Sequence, residues 1–152
     1  MPSLGAKILG VLLYMIPWAD SLKFGTHLFV KYPFIQIVQV PAIPIFLIER
    51  SLPFGNLLLF LAIFIGLVRN NKVSYFLRFN ALQSLLINIG IIIISFVFEI
   101  IFGPFLNSLI VRTFSSTLLI SIFSVTIYCV WACTQGKEPE LPIISQATKM
   151  QL

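Results

Sequence analysis

The stretch 69–83, RNNKVSYFLRFNALQ, gathers positive charge, side-chain amides and aromatic rings between two uncharged apolar runs. The guanidinium groups of Arg69 and Arg78 could each bind a phosphate or a carboxylate through two parallel hydrogen bonds. Asn80 and Gln83 lie three residues apart at the start of the following apolar run, where their amides could pair with backbone groups or a neighbouring subunit. These residues predict a site of contact with a partner. The alternative is that they only set the topology of the chain and anchor it at the membrane surface. The candidate residues are Arg69, Arg78, Phe79, Asn80 and Gln83.

Two polar stripes follow in the apolar runs after this stretch. The members of each stripe recur at intervals of three, four or seven residues, so each set shares one helix face. We predict that both faces turn away from lipid, either to pack on each other through interhelical hydrogen bonds or to border a groove that contains water. The first stripe is Asn80, Ser84, Asn88, Ser95 and Glu99, and the second is Thr113, Thr117, Ser121, Ser124 and Tyr128.

Glu99 is the one acidic residue that falls inside a predicted membrane span. It lies near the end of its apolar run, so either its carboxylate snorkels to water or it is a buried functional group. The sequence shows no Ser-His-Asp arrangement, paired carboxylates, Gly-rich phosphate loop or metal-ligand spacing. His27 is the single histidine, and Cys129 and Cys133 are typical of apolar packing. We therefore predict no enzyme activity, no cofactor and no bound metal.

The composition predicts an integral membrane protein. Hydrophobic residues make up 59% of the 152 residues and charged residues only 10%, whereas a soluble domain has about 25% charged residues. The net charge of +5 lies at the ends of apolar runs, which suits anionic lipid headgroups rather than nucleic acid. We predict an all-α polytopic protein that contacts the lipid bilayer.

Four transmembrane helices are predicted within one membrane domain, residues 1–136, at about 4–19, 54–68, 79–102 and 113–136. Residues 20–50 are expected at the interface. The prolines at 33, 41 and 44 predict that part of this segment is interfacial or re-entrant and covered by other helices, with a kinked fifth span as the alternative. Residues 137–152 are predicted to be a polar tail, partly disordered or lying on the surface.

The basic residues predict the orientation. Arg69, Lys72 and Arg78 lie in one short loop with no acidic residue between them, so this loop is expected on the side of synthesis. With four spans, both termini fall on that side too.

The string VRNNKVSYFLRFNALQ, residues 68–83, resembles a signature of the twenty-kilodalton subunit family of Tic, the protein translocon of the chloroplast inner envelope, and its cyanobacterial relatives. Leu82 stands where the family usually has Met. The resemblance extends to YMIPWADSLKFG (14–25), PAIP (41–44), SLPFG (51–55) and PIISQATKMQL (142–152). The matching positions of the signature are Val68, Arg69, Asn70, Phe76, Arg78, Phe79, Asn80 and Gln83.

This resemblance implies a membrane subunit of a protein-import translocon that contributes to a conducting path. The implied partners are other translocon subunits, a preprotein in transit and a second copy of the chain. Four helices packed about 8–10 Å apart leave no room for a polypeptide at their centre. The path is therefore expected to be shared with other subunits or opened laterally.

The implied location is the plastid inner envelope membrane or a cyanobacterial membrane. No cleavable leader or transit peptide is visible before the first apolar run, which favours a plastid-encoded or cyanobacterial protein.

Two other functions stay open. One is a structural or assembly subunit of a membrane complex in a photosynthetic organism. The other is a small-solute transporter, which the lack of predicted charges at the membrane midplane disfavours.

Overall fold

The computed structural model describes residues 1–105 and 108–152, which form α-helices with 3₁₀ and π turns and contain no strand. Four helical stretches are long and apolar enough to cross a membrane: Leu4–Lys31, Pro33–Ser51, Tyr75–Phe105 and Leu109–Thr134. The prediction of an all-α polytopic membrane protein is confirmed. The set of helices differs from the predicted one, because Pro33–Ser51 is among the four and Gly55–Val68 is a shorter apolar helix. The predicted topology, with 54–68 as the second span, stays a prediction.

The N-terminal helical stretch is longer than the predicted span 4–19. It comprises α1 (Leu4–Leu13), α2 (Met15–Ser21), a 3₁₀ turn (Leu22–Gly25) and α3 (Thr26–Lys31). Pro17 has no amide hydrogen to donate to the carbonyl of the residue four positions earlier. This missing hydrogen bond accounts for the irregular turn at Tyr14, and the helix continues beyond it. We call Leu4–Lys31 the first helix. Asp20 therefore lies within this long apolar stretch, and the interfacial placement of residues 20–50 stays a prediction.

The proline-containing segment wraps around the second half of the first helix. It consists of a 3₁₀ helix, Pro33–Ala42, and α4, Ile43–Ser51. The Trp18 indole N–H donates to the Val38 carbonyl at 2.8 Å, and Gln36 Nε2 donates to the Phe29 carbonyl at 3.3 Å. Ala42 is the one buried residue of this segment. Other helices were expected to cover this segment, but within a single chain they bury only one of its residues.

Helix α6 (Tyr75–Phe102) is the centre of the bundle. It packs against α1, α2, the π turn Phe64–Val68 that ends α5 (Gly55–Ile63), and α8 (Ile144–Gln151). Nearly every residue in its first half is buried, whereas most of its second half is exposed. The first half of α6 therefore positions the polar side chains that the sequence singles out.

The first helix lies in the groove between α6 and α7 (Leu109–Thr134) and packs on both. The Trp18 ring stacks on Phe123 of α7 with centroids 3.9 Å apart, and Phe24 meets Phe98 of α6 edge to face. Helices α6 and α7 also touch each other directly at the Phe98–Phe114 pair. The two stripe-bearing helices are thus largely separated by the N-terminal part of the chain.

Candidate functional site

Asn80 joins three helices through its side-chain amide. Its Oδ1 accepts hydrogen bonds from the Tyr14 hydroxyl of the first helix and the Cys133 thiol of α7, both at 3.0 Å. Its Nδ2 donates to the Phe76 carbonyl at 2.8 Å. Asn80 and the neighbouring Phe79 are fully buried. A buried amide with all these partners holds the helices in one arrangement.

Gln83 connects α6 to the C-terminal tail. Its Nε2 donates to the Pro139 carbonyl at 3.1 Å, and its Oε1 lies 3.2 Å from the Ser145 hydroxyl. The Leu141 amide donates to the same hydroxyl at 2.7 Å. Ser145 and Thr148 of α8 are buried. Part of the tail, which was expected to be partly disordered or to lie on the surface, is the short helix α8, whose buried polar residues Ser145 and Thr148 face the bundle while most of its other residues are exposed.

Arg78 closes the basic turn between α5 and α6. Its Nε donates to the Val68 carbonyl at 3.0 Å, and the Asn70 side chain accepts the Lys72 backbone amide at 3.0 Å. Arg69 is exposed, and it lines a polar cavity of about 270 Å³ together with Arg78 and Asn71. The guanidinium groups of Arg69 and Arg78 thus border one pocket, and that of Arg78 also donates a hydrogen bond to the backbone of Val68.

The polar stripe of α6 faces the groove that holds the first helix, and Asn80 also meets the Cys133 thiol of α7. Ser84 and Ser95 are buried, and their hydroxyls donate to the carbonyls of Ala81 and Ile91 within α6. Glu99 is exposed at the end of the stripe. With Ser95 it lines a cavity of about 420 Å³ that also contains Lys23, His27 and Ser115.

The polar stripe of α7 lies on the outer face of the chain. Four of its hydroxyls donate to the carbonyl three or four residues earlier in the same helix at 2.8–3.0 Å. The buried face of α7 carries other polar residues, Ser115 and Thr126. The two stripes therefore do not face each other, because the first helix occupies the space between the helices. The exposed residues are Thr113, Thr117, Ser121, Ser124 and Tyr128.

Two carboxylates on the long apolar helices were missed from the sequence. Asp20 of the first helix and Glu49 of α4 are both half-buried, and in the described part of the chain one buried oxygen of each has no hydrogen-bond partner. Glu99 is therefore not the one acidic residue in the long apolar helices. A signal for Asp20 was available: Pro17 can kink a membrane helix instead of ending it, which would have put Asp20 on the first helix.

The long apolar helices and the polar contacts buried around α6 define a polytopic helical membrane protein. The sequence matches a family model described as "Chloroplast import apparatus Tic20-like" over residues 2–148, and the chain belongs to this family.

Several proteins of this family are similar over nearly the whole chain. A "Tic20 family protein" of Synechocystis sp. is 29% identical over 150 residues, which cover 96% of this chain and 92% of the relative. "Protein TIC 20-II, chloroplastic" of Arabidopsis thaliana is 27% identical over 150 residues, covering 96% and 72%. "Tic20 family protein Ycf60" of Gracilaria tenuistipitata var. liui is 28% identical over 148 residues, covering 93% and 72%. These relatives come from a cyanobacterium, a plant and an alga.

Proposed function

We propose that this protein is a membrane subunit of a protein-import machinery, in a plastid envelope or a cyanobacterial membrane, and that it forms one wall of a shared path for a polypeptide. The observation that carries the proposal is the family match over residues 2–148. The description of the family names a chloroplast import apparatus, and the name of an Arabidopsis relative marks that protein as chloroplastic. The exposed face of α7 and the basic turn are the surfaces through which we expect the chain to act.

Packing in the described part of the chain argues against a path through the middle of one copy. Tyr14, Phe79 and Leu85 are among the largest side chains that are fully buried along the first helix and α6. These side chains fill the centre of the bundle. A polypeptide must therefore pass along an outer face, with other subunits or a second copy closing the path.

The outer face of α7 is the best candidate for this wall. Thr113, Thr117, Ser121 and Ser124 put hydroxyl oxygens along nearly half of its length. Each hydroxyl hydrogen is used within the helix, but a hydroxyl oxygen also has lone pairs that can accept a hydrogen bond. Such a surface tolerates a passing peptide backbone better than the purely aliphatic face at Ile93 and Ile100 of α6.

The basic turn supplies a second contact. Arg69 and Arg78 border one polar cavity, and paired guanidinium groups bind lipid phosphate or the carboxylates of another subunit. We place this turn and both termini on the stromal or cytoplasmic side, since the excess of basic residues without acidic ones favours the side of synthesis.

Photocrosslinking tests the proposed wall. A photoreactive amino acid at Ser121 of α7 is compared with the same group at Ile100, a lipid-facing position of α6, in membranes that hold a preprotein arrested in transit. We expect crosslinks to the preprotein from Ser121 and none from Ile100. Crosslinks from Ser121 only to other membrane subunits would indicate the alternative, an assembly subunit. Equal crosslinking from both positions would contradict the proposed wall.

A further inference from the structure

A cavity of about 600 Å³ lies between the end of the first helix and the start of α7. Among the described residues that line it, three are basic and none is acidic. The basic residues are His27 and Lys31 of the first helix and Arg112 of α7. This cavity is separate from the one at the basic turn, so its charges need an explanation of their own.

The basic end of this cavity lies at the ends of two membrane-length helices. Lys31 is the last residue of the stretch Leu4–Lys31, and Arg112 lies in the first turn of Leu109–Thr134. Because both residues border one cavity, these two helix ends lie at the same face of the membrane. Basic side chains at the ends of membrane helices lie at the depth of the lipid headgroups, whose anionic groups attract them. The cavity therefore opens toward the headgroup layer.

The charges of Lys31 and Arg112 are not neutralised within the described part of the chain. The ion pair found there joins Lys149 to Glu140 at 3.7 Å. The Lys31 ammonium lies 5.4 Å from the centre of the Tyr32 ring, a cation–π contact that leaves its charge in place. Both basic side chains are exposed. The cavity thus offers two full positive charges to an anionic group.

The lining of the cavity becomes less polar along α7. Arg112 is followed by the hydroxyl residues Thr113, Ser116 and Thr117, and then by Ile120. From Arg112 to Ile120 the helix rises by about 12 Å, at 1.5 Å per residue. The three hydroxyls donate to carbonyls of α7 at 2.8–3.0 Å and keep lone pairs that can accept a hydrogen bond. This order, from charge through hydroxyl to hydrocarbon, is the order of chemistry in a phospholipid from headgroup to acyl chain.

We propose that this cavity binds one anionic phospholipid, with the phosphate between Lys31 and Arg112 and the acyl chains along α7 beyond Ile120. A guanidinium group binds a phosphate through two parallel hydrogen bonds, and hydroxyls of the headgroup can donate to the hydroxyl oxygens of α7. The bound lipid bridges the end of the first helix to α7. The site goes beyond the proposed role in protein import, and Ser121 and Ser124 of the proposed wall lie outside the cavity.

Native mass spectrometry of the full-length protein in detergent tests the site. The protein is titrated with phosphatidylglycerol, which is anionic and has a hydroxyl-bearing headgroup, and with zwitterionic phosphatidylcholine of the same acyl chains. We expect one phosphatidylglycerol to bind more tightly than any phosphatidylcholine. An excess of inorganic phosphate should not displace it, because free phosphate lacks the acyl chains. Equal binding of the two lipids, or displacement by inorganic phosphate, would overturn the proposal.

Two double variants of equal net charge assign the bound lipid to this cavity. Lys31→Gln with Arg112→Gln should weaken phosphatidylglycerol binding about 25-fold, since each basic side chain near a lipid headgroup contributes about fivefold. Arg50→Gln with Lys137→Gln removes two exposed basic residues outside the cavity and should leave binding unchanged. If the first double variant unfolds, Arg112→Gln alone should still weaken binding about fivefold. Equal weakening in both double variants would show general charge attraction and overturn the proposal. No preprotein is present, so this outcome is independent of the crosslinking test.

Discussion

The hydroxyl of Tyr14 donates a hydrogen bond of 3.0 Å to Oδ1 of Asn80, across 66 positions of the sequence. The Cys133 thiol shares this acceptor. One amide oxygen of α6 therefore connects the first helix to α7. Because Tyr14 and Asn80 are both fully buried, water cannot replace a lost partner.

Replacing Tyr14 with Phe is expected to destabilise the protein by about 0.5–1.5 kcal/mol, the usual net contribution of one hydrogen bond. The ring still fills its place, and Asn80 keeps the Cys133 thiol as a donor. Thermal unfolding in detergent measures the change. The control is Tyr128→Phe, since Tyr128 is 41% exposed. If both variants lowered the melting temperature equally, the Tyr14–Asn80 bond would have no special role.

Replacing Gln83 with Leu should release the C-terminal helix. The change removes the donor to the Pro139 carbonyl and the acceptor near Ser145, and leaves these two tail groups with hydrogen bonds only within the tail. Faster hydrogen exchange across residues 141–151 is the expected result. Gln135→Leu alters an exposed glutamine at the end of α7 and should leave that exchange unchanged. Unchanged exchange in Gln83→Leu would show that the tail docks by its apolar contacts alone.

Gly55→Ala is expected to disrupt the contact of α4 with α5. A methyl group at Gly55 would overlap the backbone of Glu49, which cannot rotate away as a side chain can. Gly90→Ala in α6 meets nothing within 4 Å, and replacing glycine in a helix is stabilising by about 0.5–1 kcal/mol. Thermal unfolding should therefore show a loss for Gly55→Ala and no loss for Gly90→Ala. Equal behaviour would mean that α4 moves freely away from α5.

Cysteine labelling tests the orientation. A cysteine at Asn71 in the basic turn and one at Lys137 after α7 should both react with an impermeant thiol reagent from the side of synthesis. A cysteine at Tyr32, after the first helix, should react from the opposite side. The native Cys129 and Cys133 are buried, so the wild-type protein gives the background. Labelling of Asn71→Cys only from the side opposite to synthesis would reverse the predicted topology.

Sequence patterns were sufficient for α6 and α7, because apolar content and breaks in it are local. The structure begins α6 at Tyr75 and ends α7 at Thr134, close to the predicted spans 79–102 and 113–136. The polar stripe of α6 was also visible, since its members share one face. The structure buries its members Asn80, Ser84, Asn88 and Ser95.

The partner of each stripe could not be read from the sequence. A helical period shows which residues share a face, but not which helix lies against that face. The first helix lies between α6 and α7, so Asn80 meets Tyr14 and the α7 hydroxyls stay outside. The docking of Gln83 on the tail depends on the Pro139 carbonyl, a backbone group that no sequence pattern marks. Asp20 was missed because the first span was predicted to end at residue 19, with residues 20–50 at the interface.

The place of the first helix between α6 and α7 has a consequence for biogenesis. The first helix meets its neighbour α6 only after about 60 further residues have been made, and its other neighbour α7 later still. Until α6 has been made, Tyr14 has no lasting partner in the bilayer. An insertase or another membrane chaperone that shelters the nascent N-terminal segment would meet this need, and a chain truncated before α7 would leave that segment open to degradation.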